Sequence, residues 1–172
     1  SGAAAQNIYG VVYGNLTLNN STKTLAGGSP AIQGNLSING TGIFSPTTLV
    51  SFVGTGAQSI SGAGTLNFNG GLEVSKLSGT LTFSKALSIT SGLSVLSGTL
   101  DLGNNLTTMN TGSFVNDGTT ISGNGGNLLV AGTCDFSGTG PLTLRDLTTQ
   151  VATGIATINN ANWAITGDIV NN

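Results

Sequence analysis

Residues 77–105 read LSGTLTFSKALSITSGLSVLSGTLDLGNN, and one short phrase recurs four times within them. Each phrase places a small polar or acidic residue between two apolar residues. The four phrases are Leu81-Thr82-Phe83, Leu87-Ser88-Ile89, Leu93-Ser94-Val95 and Leu100-Asp101-Leu102. Because alternate side chains of a strand point to opposite faces, each phrase predicts a short strand with two apolar side chains facing inward and the middle one outward.

The spacing of these phrases predicts how the chain winds. Their first residues are six, six and seven positions apart, and the residues between them are rich in Gly, Ser and Thr, which favour bends. Three phrases with their bends take 19 residues, from Leu81 to Leu100. A chain that turns the same way after each strand closes a three-sided coil, and the next coil stacks on it at about 4.8 Å. The sequence therefore predicts an all-β parallel β-solenoid with three short strands per coil of about 19–20 residues.

Internal similarity supports this period. GNLTL at 14–18 recurs as GNLSI at 34–38, a shift of 20, and LSGTL at 77–81 recurs at 96–100, a shift of 19. The number of phrases predicts about eight coils, hence a rod on the order of 35–40 Å long. The six-residue spacing resembles the hexapeptide repeat of left-handed β-helices, but it breaks repeatedly. A right-handed solenoid tolerates irregular turns better and is the favoured hand.

Two longer phrases also return. FVGTGAQSISG at 52–62 returns as FVNDGTTISG at 114–123 with one deletion, and SGAGTLNF at 61–68 returns as SGTGPLTL at 137–144. Apolar pairs continue the alternating pattern along the chain; they are Leu66/Phe68, Leu72/Val74, Leu128/Val130, Cys134/Phe136 and Leu142/Leu144.

The chain shows no linker and no shift in composition, so residues 1–172 are interpreted as a single solenoid domain. The apolar and aromatic residues of 1–13 and of 155–172 are candidates to cap the two ends. The last eight residues, ITGDIVNN, read like the start of another coil. We therefore expect a fragment of a longer repeat protein, with neighbouring coils of the parent chain as partners.

Composition excludes several classes of partner. Only 6% of the residues are charged, against roughly 25% in an average globular protein, and the net charge is −2. Four Lys and Arg residues cannot form a phosphate-binding face, so no nucleic acid is expected. No run reaches the ~18 apolar residues needed to cross a bilayer, so no membrane insertion by this segment is expected. The surface must consist mainly of hydroxyl and amide groups.

Catalytic residues are sparse. The chain has no histidine, which removes Ser-His-Asp and Cys-His arrangements. Glycoside hydrolysis needs two carboxyl groups about 5–10 Å apart. Stacking of coils could bring two acidic residues within this distance of each other. The six acids are Glu73, Asp101, Asp117, Asp135, Asp146 and Asp168. We interpret them as solvated, and we predict no enzyme activity and no catalytic, cofactor-binding or metal site.

The single cysteine, the lysines, the outward threonines and the asparagine pairs each allow a separate prediction. Cys134 is in phase with Phe136 and is predicted to be a small core residue. Lys23, Lys76 and Lys85 are candidates for intramolecular isopeptide bonds, but Lys85 stands in a bend and is expected to be solvent-exposed. Outward threonines such as Thr82 raise the possibility of an ice-binding face. The pairs Asn19-Asn20, Asn104-Asn105 and Asn159-Asn160 predict turns and amide ladders between coils.

The motifs GNLTL (14–18), GTGAQSISG (54–62) and SGTLDLGNN (97–105) resemble repeats of very large bacterial adhesins. These belong to the autotransporter-passenger and haemagglutinin-like group of parallel β-helices, and the resemblance covers roughly residues 12–150. It implies a non-enzymatic structural stalk or adhesive segment, secreted or displayed at the cell surface in association with the outer membrane. It also implies glycans or a host or biofilm surface as partners, and no cofactor.

Two alternatives remain open on the same fold. Parallel β-helices often carry polysaccharide lyases and hydrolases, and a groove with two close carboxylates would favour such an enzyme. A flat face with a uniform threonine file would favour an ice-binding module.

Overall fold

The chain winds into a parallel β-solenoid, which confirms the fold class expected from the repeated phrases; it has about seven turns, rather than the eight or so expected. This computed structural model describes residues 6–123, 125–150, 156–159 and 162–172. Within these ranges there is no helix, and the paired strands run parallel. Each full turn supplies one strand segment to each of three faces, as predicted.

Face 1 is a nine-stranded sheet in the described part of the chain. Its strands, in order along the axis, are β1 (Gln6–Ile8), β4 (Thr22–Leu25), β7 (Ile43–Phe44), β10 (Thr65–Phe68), β12 (Leu87–Ile89), β14 (Leu106–Met109), β17 (Asn127–Val130), β20 (Asp146–Thr149) and β23 (Ile169–Asn171).

Faces 2 and 3 together form a 14-stranded sheet. Face 2 stacks β2 (Val12–Tyr13), β5 (Ala31–Ile32), β8 (Val50–Gly54), β11 (Leu72–Phe83), β13 (Gly92–Asp101), β15 (Gly112–Asn116), β18 (Cys134–Ser137) and β21 (Ala156–Ile158). Face 3 stacks β3 (Leu16–Asn19), β6 (Leu36–Asn39), β9 (Gln58–Ser61), the second halves of β11 and β13, β16 (Thr119–Ile121), β19 (Leu142–Leu144) and β22 (Trp163–Ile165).

The long strands β11 and β13 join face 2 to face 3. The first half of β11 pairs with β8, and its last three residues pair with β9. The repeated phrase LSGTL supplies the bend, because Gly79 and Gly98 adopt φ of +77° and +79°. A Cβ on Gly98 would also lie 2.7 Å from the Cβ of Lys76. Only glycine meets both conditions without strain.

The core lies along the axis and consists of the inward apolar side chains of all three faces. All four opening phrases confirm the predicted facing. Ile89 and Leu93 are fully buried, for example, whereas Ser88 and Ser94 between their apolar neighbours are only partly covered. Burial of one such side chain contributes roughly 1.5–3 kcal/mol. The stack of coils therefore holds together mainly through this continuous apolar column.

The observed registers confirm the short repeats but correct the coil length. Leu16 pairs with Leu36, and Leu81 pairs with Leu100, at the predicted shifts of 20 and 19. Elsewhere the shift is larger: Leu72 pairs with Leu93, a shift of 21. Corners of variable length lengthen the turn beyond the 19–20 residues expected. The favoured right hand stays a prediction.

The two longer phrase repeats do not mark equivalent positions. Thr120, not Ile121, takes the inward position on β16, and Ile121 is 38% exposed. Leu66 lies on face 1 and Leu142 on face 3, although the phrases around them look alike. Small polar residues and glycine recur at every corner, so a similar phrase does not fix its face.

The candidate end caps are ordinary coils where they are described. Tyr9 and Val12 are more than half exposed, and β1 and β2 pair with the next turn like any other strand. At the other end, β23 pairs with β20, as the coil-like reading of residues 165–172 predicted. Trp163 packs edge-to-face on Phe136, with ring centroids 4.9 Å apart. Of the two predicted caps, residues 1–5, 155, 160 and 161 lie outside the described residues.

Candidate functional site

Glu73, Asp101 and Asp135 do not share one face in adjacent turns. Glu73 lies on face 2 and Asp101 on face 3 of the following turn. Asp135 also lies on face 2, but three turns beyond Glu73, which corresponds to about 14 Å along the axis. Within the described ranges, no three Cys, Asp or Glu residues come close enough together to hold a metal ion.

Several acids bind backbone N–H groups at the corners. The Asp117 carboxylate accepts from the backbone N–H of Thr139 in the next turn at 3.0 Å. The Asp146 carboxylate accepts in the same way from Asp168 at 2.9 Å, and Asp146 also pairs with Arg145 at 3.4 Å. Arg145 and Asp146, which are adjacent in the chain, thus form a local ion pair. These contacts tie successive turns together.

Asparagine side chains also link successive turns by hydrogen bonds, but they carry no charge. Asn39 Nδ2 donates to Asn19 Oδ1 at 2.9 Å, which confirms an amide ladder between coils. Asn20 Oδ1 accepts from the N–H of Thr41, and Asn104 Oδ1 accepts from the N–H of Gly125. Asn160 of the third predicted pair lies outside the described residues. Hydrogen bonds at the polar corners therefore add to the packing of the apolar core in holding successive turns together.

A polar cluster lies inside the core at the corner between faces 2 and 3. Gln58 is 3% exposed, and its Nε2 donates to the carbonyl oxygens of Ile32 at 3.0 Å and Gly34 at 2.8 Å. Lys76 is fully buried, and its ammonium donates to Gln58 Oε1 and to the carbonyl oxygen of Gly56. Burial lowers the pKa of Lys76 below its ordinary value of 10.5.

The buried lysines are the main feature that the sequence interpretation missed. Lys23 is also buried, and its ammonium donates to the Asn20 carbonyl and to the Ser21 hydroxyl. The sequence did indicate this burial, because Lys76 follows Leu72 and Val74 at alternate positions of one strand and so shares their inward face. Among the described residues, the hydrogen-bond acceptors of these two ammonium groups are carbonyl oxygens, the Ser21 hydroxyl and the Gln58 amide oxygen.

A shallow groove of about 490 Å³ crosses three turns at the corner between faces 3 and 1. Small residues form its floor, since Gly62, Ala63, Gly64 and Ala86 all line it. Leu106, which is 41% exposed, stands at one side. When the registers of the flanking strands are extended back along the chain, Ala86 lies between Thr65 and Leu106. Both of these residues are larger than alanine, so the surface dips at Ala86.

Lys85 is the cation of this groove. It is half-buried, which corrects the expected solvent exposure, and its Nζ donates to the Gly64 carbonyl oxygen of the preceding turn. Burial lowers the pKa of Lys85 below its ordinary value of 10.5. In the described part of the chain no acid pairs with it, whereas Arg145, three turns further along the same corner, pairs with Asp146.

Hydroxyl and amide groups line the face 1 side of the groove. Asn67, Ser88 and Thr108 lie in register on three successive strands. Ser88 Oγ accepts from Asn110 Nδ2 at 2.7 Å, which leaves its own proton free to donate. Within the described residues, no partner binds the side chains of Thr65, Asn67 or Thr108, although all three line the groove.

Threonines form one short file on face 3. Thr80 pairs with Thr99, and Thr99 pairs with Thr119, so three threonines stack in register. Thr82 instead lies between Ser59 and Asp101. The residue type changes along every longer file of this face.

Cys134 is a buried free thiol, as predicted. Burial first, and the neighbouring Asp135 carboxylate second, raise the pKa of the Cys134 thiol to about 11. A thiol that stays protonated is a poor nucleophile.

No protein-family model, curated protein or solved structure matches this chain. The described residues include no helix with the length and apolarity needed to cross a bilayer. The solenoid architecture is consistent with β-helix repeats. The likeness to adhesins rests on the sequence motifs alone, since no comparison found a match.

Proposed function

We propose that this chain is a non-enzymatic segment of a secreted or surface-displayed bacterial protein, where it acts as a stalk or adhesive scaffold. The observation that supports this is the unbroken parallel stacking of strands from β1 to β23 on face 1. Rows of hydrogen bonds along the axis, combined with one apolar column, resist bending and extension. The outward faces are then free to vary without loss of the rod.

The surface chemistry fits an adhesive role. Hydroxyl and amide side chains dominate the exposed positions, and few charges repel or steer a partner over long range. Such groups form hydrogen bonds with neutral or weakly charged glycans and with other protein surfaces. Adhesion of this kind relies on many weak contacts along the rod.

The test displays the whole chain on the surface of non-adherent bacteria and measures retention under flow on glycan-coated and uncoated surfaces. Retention on one glycan class supports the adhesive scaffold. If retention does not rise, the stalk role is tested by replacing the chain with a flexible Gly/Ser linker beneath a known adhesive domain. Reach and retention that do not change in that exchange would exclude the stalk.

The alternatives have separate readouts on the same purified protein. Release of reducing or unsaturated sugar ends from polysaccharides would replace this proposal with a carbohydrate-active enzyme. Thermal hysteresis would replace it with an ice-binding module, for which the three-threonine file on face 3 is the region to mutate.

A further inference from the structure

We infer that the groove around Lys85 is a binding site for a carboxylated saccharide, a uronic acid unit. This inference deepens the adhesive function proposed above and rests on it. The groove joins three features in one place: an ammonium that pairs with no acid in the described part of the chain, a row of hydrogen-bonding side chains and an exposed leucine. Each feature corresponds to one part of such a ligand.

The ammonium selects the carboxylate. Lys85 Nζ has three N–H donors, and one of them binds the Gly64 carbonyl oxygen. The other two face no acid among the described residues, so a carboxylate can accept from them in a charge-assisted hydrogen bond. Fixing the ammonium against Gly64 also reduces the conformational freedom that binding would otherwise remove.

The charge of the whole chain limits the ligand to one or few negative charges. Among the described residues that line the groove, Lys85 is the single cation, and the net charge of the protein is −2. A polyanion such as nucleic acid would need several cations in a row. A saccharide with one carboxylate per ring matches the single ammonium.

The remaining lining matches a sugar ring rather than a small acid. Asn67, Ser88 and Thr108 present amide and hydroxyl groups at intervals of about 4.8 Å. Hydroxyl groups of a pyranose can both donate to and accept from such a row. Leu106 offers an exposed apolar side chain to the C–H face of the ring.

The experiment titrates the ¹⁵N-labelled full chain with galacturonic acid, galactose and acetate and follows amide chemical shifts. We expect galacturonic acid to shift signals of 62–67, 85–88 and 106–108, with millimolar affinity and on the order of tenfold weaker binding of galactose. Equal binding of galactose would overturn the role of Lys85. If acetate binds as tightly as galacturonic acid, the ligand assignment to a saccharide is wrong. If no signals shift at these residues, the groove is not the binding site.

Three variants make the test specific. Lys85→Gln should weaken galacturonate binding on the order of tenfold by removing the charge-assisted contact. Ala86→Leu should abolish binding by filling the floor; it should fold, because Leu106 occupies the next position of the same file. Arg145→Gln removes the same charge at the same corner three turns away and should bind like the wild type.

These outcomes separate the site from the proposed function. If Lys85→Gln binds galacturonate as well as the wild type, the assigned site is wrong, whatever retention on surfaces shows. The purified chain could bind galacturonate with the predicted variant pattern while displayed cells are not retained on uronate-coated surfaces. That result would support the binding site in the groove and contradict the proposed adhesive function.

Discussion

The buried contact between Lys76 and Gln58 predicts unequal effects of two substitutions. Gln58→Leu leaves the Lys76 ammonium in the core with the Gly56 carbonyl as its one remaining partner among the described residues. It also leaves the carbonyl oxygens of Ile32 and Gly34 without this donor. A buried donor that loses its hydrogen-bond partner costs about 1–3 kcal/mol, and more when the donor is charged, so we expect a loss at or above the upper end of this range.

Lys76→Met removes the charge itself and so has a smaller cost. The Gln58 amide oxygen then lacks a donor, which costs about 1–3 kcal/mol, while Gly56 is exposed and its carbonyl can bind water. Relief of the desolvated ammonium, whose pKa is lowered in the folded protein, offsets part of this cost. Lys76→Met should therefore destabilise the protein less than Gln58→Leu.

The double variant tests the coupling. With the ammonium gone, Gln58→Leu no longer strands a charge, so the double variant should be more stable than the sum of the single effects by about 0.5–3 kcal/mol. Urea unfolding followed by far-ultraviolet circular dichroism measures all four proteins. Leu77→Ala, at an 88% exposed position next to Lys76, is the control. Additive effects, or a larger loss for Lys76→Met than for Gln58→Leu, would refute the buried contact.

Three further predictions concern single positions. Ile89→Asp should unfold at least the local turns, since it buries an unpaired charge, whereas Ser88→Asp should change the urea midpoint little; the reverse order would show that the strand faces the other way. Thr107→Val should stabilise the protein by about 1 kcal/mol in urea unfolding, because the buried Thr107 hydroxyl has no partner among the described residues; a loss of stability would reveal one. The Cys134 thiol keeps its proton longer in the folded than in the unfolded chain, since its pKa rises from 9.0 to about 11. Its contribution, on the order of 2–3 kcal/mol, is therefore present below pH 9 and lost as pH rises to 11. The unfolding free energy of the wild type should fall relative to Cys134→Ala over that interval, and parallel pH profiles would contradict the assignment.

Local alternation was enough to predict the facing of most strands. Leu87, Ser88 and Ile89 lie as their pattern indicates, because a stacked short strand has one apolar side and one polar side. At Lys76 the alternating pattern was right, and the expectation from residue type was wrong. Lys76 has inward parity, but a charged side chain is rarely buried, and its acceptor Gln58 lies 18 residues earlier in the chain.

The groove could not be found from the sequence because no motif marks it. It arises where Ala86 lies in one file with larger neighbours, and files form only after coils stack in a definite register. Corner lengths set that register, and they vary without a local signal, which also explains the outward Ile121. Similarity of the two longer phrases was thus a weaker guide than alternation within three residues, whereas the five-residue repeats predicted their registers correctly.

The two longest strands, β11 with 12 residues and β13 with 10, lie in adjacent turns near the middle of the rod. Each turn is held only by the turns beside it, so a heated or pulled rod should fray from its tips and lose this middle segment last. Amide hydrogen exchange should accordingly be slowest in residues 72–101. Unfolding of a terminal turn leaves the remaining turns stacked. Loss of pairing between β11 and β13 would instead divide the rod into two shorter stacks, each with a newly exposed row of unpaired strand edges.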